Sequence, residues 1–178
     1  MVIIPGWFLA LLTFPGVIVH EAAHMFFCKL RGVAVVEVCF FRVGNPAGYV
    51  VHGRPDDFTS SFLISIGPFF VNSLLCIALC FPAFAPVRIF GLSDPSDYFL
   101  LYLGLSIGMH AFPSIQDGAS LWREAREAAG RMNPLALVSF PIVIFIYIAN
   151  ALSVVWFDYI YGVAIGLMLP EFLFDKLV

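Results

Sequence analysis

Phe14-Pro15-Gly16-Val17-Ile18-Val19-His20-Glu21-Ala22-Ala23-His24 is apolar except for three ionisable side chains. It lies inside a longer apolar run, residues 2–28. A helix needs about 20 such residues to cross a bilayer, so the run is read as a membrane span. Ionisable groups are costly in that setting and are usually functional. The order His20-Glu21-x-x-His24 places both imidazoles on one helix face, where they can hold one cation. Zinc accepts His nitrogens at about 2.0–2.1 Å in a tetrahedral set. Glu21 stands beside the pair as the group that takes a proton from metal-bound water, whose pKa zinc lowers to about 7. The bland alternative is a buried polar cluster that only ties helices together.

The remainder of the chain suits a bilayer. Of its 178 residues, 61% are hydrophobic and 12% charged, against roughly 25% charged in soluble domains. Mean hydropathy is +0.97, and one small core cannot hide that much apolar surface. Further apolar runs lie at about residues 58–84, 98–115, 135–156 and 159–174; the last is short and holds Gly162, Gly166 and Pro170. Residues 33–43 are rich in β-branched and aromatic types, 44–48 form a turn cluster, and 49–52 resume the strand texture, which predicts a hairpin. Strand edges in lipid must be paired, so the hairpin belongs at the interface or beside a cavity. Residues 117–131 predict a short amphipathic helix, with Arg123 and Glu127 as an i,i+4 pair, Trp122 at headgroup level, and Gly130 and Pro134 ending it. The expected fold is an all-α polytopic membrane protein. It forms a single domain over residues 1–178, with five transmembrane helices and a small β-hairpin inserted after the first.

Basic residues set the expected orientation. Lys29, Arg31, Arg42 and Arg54 fall in the first loop, Arg123, Arg126 and Arg131 in the third, and Lys176 in the tail; only Arg88 falls in the second. This places the N-terminus outside, and the C-terminus and the mouth of the site on the cytoplasmic side. The start lacks a basic n-region and a cleavage site, and reads as a retained span. The net charge of -3 and the lack of a basic cluster argue against nucleic acid as a partner. Cys28, Cys39, Cys76 and Cys80 form no C-x-x-C pair and read as small hydrophobes.

Catalytic zinc usually has three protein ligands and an open position. Asp117 is the best third candidate. His24 precedes Lys29 by five residues and Asp117 precedes Arg123 by six, which puts both about 8–9 Å from the same membrane face. Asp117 reads equally as the N-cap of the helix that follows. His110 is a rival ligand, about 10 Å deeper on a straight helix; its plain alternative is a hydrogen-bonded buried histidine. His52 reads as interfacial. Asn72 interrupts the second span, as an interhelical hydrogen-bonding group or as a donor to substrate or oxyanion.

Together these segments resemble the site-2 protease family of intramembrane zinc metalloproteases. The stretch 14–24 resembles its first core helix, Gly67-Pro68-Phe69-Phe70-Val71-Asn72 its G-P-x-x-N segment, and Phe112-Pro113-Ser114-Ile115-Gln116-Asp117-Gly118 its third-ligand segment. The resemblance covers residues 14–118; the C-terminal helices, residues 135–178, add little to it. His110 stands where the family tends to have Asn. The resemblance implies Zn2+ held by His20, His24 and Asp117, Glu21 as general base, and Asn72 near the substrate. The expected activity is hydrolysis of a peptide bond in or near a transmembrane segment of a membrane-protein substrate, which the edge of the hairpin would hold as an added strand. The alternatives are a non-catalytic metal-binding membrane protein of the same fold and a small transporter; the latter is disfavoured because the ionisable residues gather at one depth and no repeat is present.

Overall fold

The computed structural model describes residues 6–91 and 94–177. Residues 2–5 of the first apolar run and the side chain of Arg88 lie outside the described part. The first run is two helices, α1 (Gly6–Leu12) and α2 (Phe14–Leu30), joined at Thr13. Pro15 causes the break: it has no N–H, and its ring crowds the carbonyl four residues back. Next come β1 (Val35–Cys39) and β2 (Tyr49–His52), then α3 (Phe58–Phe90), α4 (Pro95–Met109), α5 (Ile115–Ala129), α6 (Pro134–Leu152), α7 (Phe157–Val163) and α8 (Leu169–Leu177). A π-helical turn, Ala164–Met168, links α7 to α8. It precedes Pro170, which cannot donate to the carbonyl of Gly166 in a regular helix.

Three segments are long and apolar enough to cross a membrane: Phe58–Ala83, Pro134–Val155 and Phe157–Lys176. The five expected from sequence are therefore not all present as full-length helices. α2 has 17 residues and α4 has 15, about 26 and 22 Å at 1.5 Å per residue. α4 stops at Met109 because Pro113 bars the helical conformation for Phe112. The spanning helices turn large apolar side chains outward, such as Leu74, Ile144 and Ile160, each more than half exposed. Water does not favour such a surface and hydrocarbon does.

The expected hairpin is present. β1 and β2 pair antiparallel, with Val38 opposite Val50 and Cys39 opposite Tyr49, and an irregularity between Val35 and Glu37. The predicted amphipathic helix is α5, which buries Gly118, Leu121 and Ala125, an i, i+3, i+7 stripe. This stripe joins Phe58 and Ile66 of α3 and Ala136, Val143 and Ile146 of α6 in one apolar cluster. Trp122 packs edge-on against Phe140. Glu127 is paired with Arg54, not with Arg123 as expected, and Arg54 also meets Glu124 at 3.1 Å. The hairpin exit is thereby tied to α5.

Small residues let α3, α4 and α7 approach closely. A Cβ on Gly108 would lie 2.6 Å from Cys76 Sγ, and one on Gly162 would lie 2.7 Å from the backbone nitrogen of Met109. Cys28, Cys76 and Cys80 are fully buried and unbridged, as expected of small apolar side chains. α2 meets α4 still more tightly: a Cβ on Gly16 would sit 2.0 Å from the carbonyl oxygen of Ser106. Ser106 Oγ accepts from Gly16 N at 3.0 Å and donates to Thr13 O at 2.9 Å. The start of α2 is thus fixed against the last turns of α4, with His20 one turn further on.

Candidate metal centre

His20 and His24 are one turn apart on α2, both buried. Each has its Nδ1 against a backbone carbonyl: His20 with His110 O at 2.7 Å, His24 with Ile64 O at 2.9 Å. A carbonyl only accepts, so each ring carries its proton on Nδ1 and presents a lone pair at Nε2. The two Nε2 atoms are 3.2 Å apart. Two lone pairs cannot hydrogen-bond each other. Asp117 Oδ2 lies 3.5 Å from His24 Nε2, and the three ligand atoms all fall within 4.8 Å of one another. A tetrahedral ion with arms of about 2.05 Å separates its ligand atoms by about 3.3–3.4 Å. Two of the three separations lie near that value, and the third pair, His20 with Asp117, lies within 4.8 Å, so the cluster could hold a metal ion with that pair drawn inward.

Asp117 is not the N-cap that the sequence allowed. That position is Ser114, whose Oγ accepts from Asp117 N at 3.2 Å. Asp117 is the third residue of α5, and its Oδ2 accepts from Ser114 N at 2.8 Å and Ser114 Oγ at 2.6 Å. This capping box anchors the carboxylate beside the histidines. His110 is not a ligand by its side chain. It ends α4; its Nε2 donates to Thr13 Oγ1 at 2.8 Å, because the Thr13 hydroxyl is itself given to Leu9 O. The break in the helix, absent from a straight-helix reading, brings its backbone oxygen to His20.

The three candidate ligands line a cavity of about 430 Å³ together with Glu21, Tyr49, Val50 and His52. Glu21 is buried, and Gly48 of the hairpin turn packs on it: a Cβ there would meet Glu21 Cγ at 2.7 Å. A second cavity of about 670 Å³ shares Val50, His52 and Asp117 and extends to Arg54, Arg123 and Glu124. His52 Nδ1 donates to Gly53 O at 2.7 Å, and His52 is not one of the three clustered residues.

Asn72 is fully buried and is not on the cavity wall. Its amide nitrogen faces the carbonyls of His110 at 2.9 Å, Ile107 at 3.2 Å and Gly16 at 3.5 Å. The amide nitrogen is thus directed at backbone carbonyls, while its Oδ1 has no hydrogen-bond partner among the described residues. Sequence reasoning missed Asn150. It donates to the carbonyls of Pro113 and Ile146, both at 2.9 Å, and steadies the turn ahead of Asp117. The signal was available: like Asn72, it is a lone amide in an apolar span. Asp158 was also missed. It lines the same cavity, and its Oδ1 has no hydrogen-bond partner among the described residues. Compared with family profiles, curated proteins and solved structures, the chain matches none.

Proposed function

We propose that this chain is an intramembrane zinc metalloprotease of the site-2 protease type, which hydrolyses a peptide bond in or near a transmembrane segment of its substrate. One observation carries the reading: two imidazole lone pairs and one carboxylate oxygen converge on a cavity wall where a second carboxylate, Glu21, is also present. His20, His24 and Asp117 hold the ion, and two His with a carboxylate suit zinc. Bound zinc supplies a water acidic enough to act near neutral pH. Glu21, buried on the same cavity wall, would be the base that accepts the proton of the attacking water and the acid that returns it to the leaving amine.

The substrate enters extended. Tyr49, Val50 and His52 of β2 line the cavity, so the unpaired edge of that strand is placed to add a peptide strand beside the site. Lys29, Arg31, Arg54 and Arg123 gather at the end where Arg31 meets Asp57 and Arg54 meets Glu124. This supports the assignment of that end to the cytoplasm, with α2 and α4 as shorter spans beside the three long ones.

Glu21→Gln in the purified full chain tests the reading. Zinc content should stay at one per chain, while cleavage of a transmembrane peptide falls about 10²–10⁴-fold, the range for loss of a general base. Wild-type cleavage in this variant would remove Glu21 from the chemistry. One zinc per chain with no cleavage by the wild-type protein of any membrane peptide would favour a non-catalytic role.

A further inference from the structure

The two carbonyls that orient His20 and His24 have something in common: neither is tied up by a regular helix. Ile64 lies inside α3, where its carbonyl would ordinarily accept from the N–H four residues on. That residue is Pro68, which has no N–H, and it is fully buried in a helix that runs on past it. The carbonyl of Ile64 is therefore left for His24 Nδ1, at 2.9 Å. The carbonyl of His110 is free because α4 has just ended. It accepts from His20 Nδ1 at 2.7 Å and also from Asn72 Nδ2 at 2.9 Å. The same amide reaches Ile107 O at 3.2 Å. Carbonyl oxygens surround this atom, so it is the NH2 and not the oxygen of the amide.

We propose that Pro68 and Asn72 are positioning residues for the metal ligands, one for each histidine. They sit one turn apart on α3. Pro68 acts by vacating a carbonyl for His24; Asn72 acts by clamping the loose end of α4 so that the His110 carbonyl faces His20. Each imidazole is thereby held with its lone pair toward the site before any ion arrives. Partners of this kind typically change metal affinity 10–100-fold when removed. The inference rests on the reading of His20 and His24 as metal ligands.

Pro68→Ala and Asn72→Leu in the full detergent-solubilised chain test it, with zinc affinity measured by chelator competition and the visible spectrum of the Co2+-loaded protein as the report on ligand geometry. Pro68→Ala restores an N–H that competes for Ile64 O. It should weaken zinc about 10-fold while the metal-free protein melts no lower than wild type, since alanine suits a helix interior better than proline. A purely structural role for Pro68 would not separate these two readouts. Asn72→Leu should weaken zinc 10–100-fold and alter the Co2+ spectrum; if it does not fold, Pro68→Ala decides alone. Wild-type affinity and spectrum in every variant that folds would overturn the inference while leaving the site intact. A lower kcat at unchanged affinity in Asn72→Leu would return Asn72 to a substrate role and overturn its part. A wild-type protein that binds no zinc would remove the metal site itself, and this inference with it.

Discussion

Removing the metal should loosen the whole fold, because the ligands come from elements distant in sequence. His20 and His24 are on α2 and Asp117 is on α5. His24 Nε2 lies 3.2 Å from His20 Nε2 and 3.5 Å from Asp117 Oδ2, either side of the tetrahedral value of about 3.3–3.4 Å, and an ion would draw in the wider His20–Asp117 pair, which lies within 4.8 Å. Free zinc at 1,000 times its Kd would then stabilise the folded chain by about 4.1 kcal/mol, a shift of about 1,000-fold in the unfolding equilibrium. His24 is the ligand whose Nε2 approaches both of the others, so its loss should be the most costly. His24→Ala should weaken zinc at least 100-fold, removing about 2.8 kcal/mol of that protection. His52→Ala is the control, since His52 lines the cavity but is not in the cluster, and it should keep the full effect. The assay is thermal unfolding in detergent, with zinc and with a chelator. The reasoning is refuted by a wild-type melting curve indifferent to both, or by a zinc-induced rise that persists in full in His24→Ala.

Gly48→Ala puts a Cβ 2.7 Å from Glu21 Cγ and 3.0 Å from Phe40 O. Overpacking of this kind costs about 1–3 kcal/mol, and a peptide-cleavage assay should show lower turnover with zinc content unchanged. Val38→Pro removes a residue from the ladder opposite Val50; if the substrate pairs with β2, KM rises, and unaltered kinetics would argue against strand addition. Asp57 accepts from Ser60 N at 3.0 Å and Ser60 Oγ at 2.6 Å at the start of α3, and these bonds hold its carboxyl below the usual carboxylate range. A depressed folded-state pKa means stability that is complete above the unfolded value of about 3.9 and lost as pH falls below it. Asp57→Ala should therefore cost about 1 kcal/mol at neutral pH and flatten the acid limb of a melting-temperature profile.

Much of this was legible from residue order. Helix period placed His20 and His24 on one face with Glu21 beside them, the strand texture of residues 33–52 located the hairpin, and three of the five apolar runs coincide with helices long and apolar enough to cross a membrane. Depth counting, which needs only the distance to the nearest basic residue, offered Asp117 as a third ligand but left the N-cap reading equally open. What stayed hidden depends on how helices end. Pro15 splits the first run, a break that hydropathy does not register inside an apolar stretch; Pro113, which shortens the third, was visible as a breaker, but not where the freed carbonyl would point. The pairing of Arg54 with Glu124 and Glu127 joins residues about 70 positions apart, and no local pattern predicts it. Asn72 was visible as an unusual residue, but its partners are backbone atoms of another helix, which carry no signature in the sequence.

The features that spoil the count of spans are also what make a site possible. In hydrocarbon, backbone polar groups must be satisfied within the protein, and irregular backbone persists only where it is buried or faces a cavity. An unbroken α3 and an unbroken α4 would offer no free carbonyl to an imidazole at this depth. Pro68 opens the first helix without ending it, and the stop at Met109 opens the second. The turn that follows needs its own support, supplied by Asn150 on Pro113 O and by Ser114 as the cap of α5. The cap then places Asp117 on the first turn of a helix whose apolar stripe is pinned to α3 and α6. The carbonyls that face the two histidines are thus each freed by an interruption of regular helix, while Asn72 Oδ1 and Asp158 Oδ1 have no hydrogen-bond partner among the described residues. A helix bundle selected only for packing has no reason to keep these interruptions beside the same two histidines; the proposed metal site gives one.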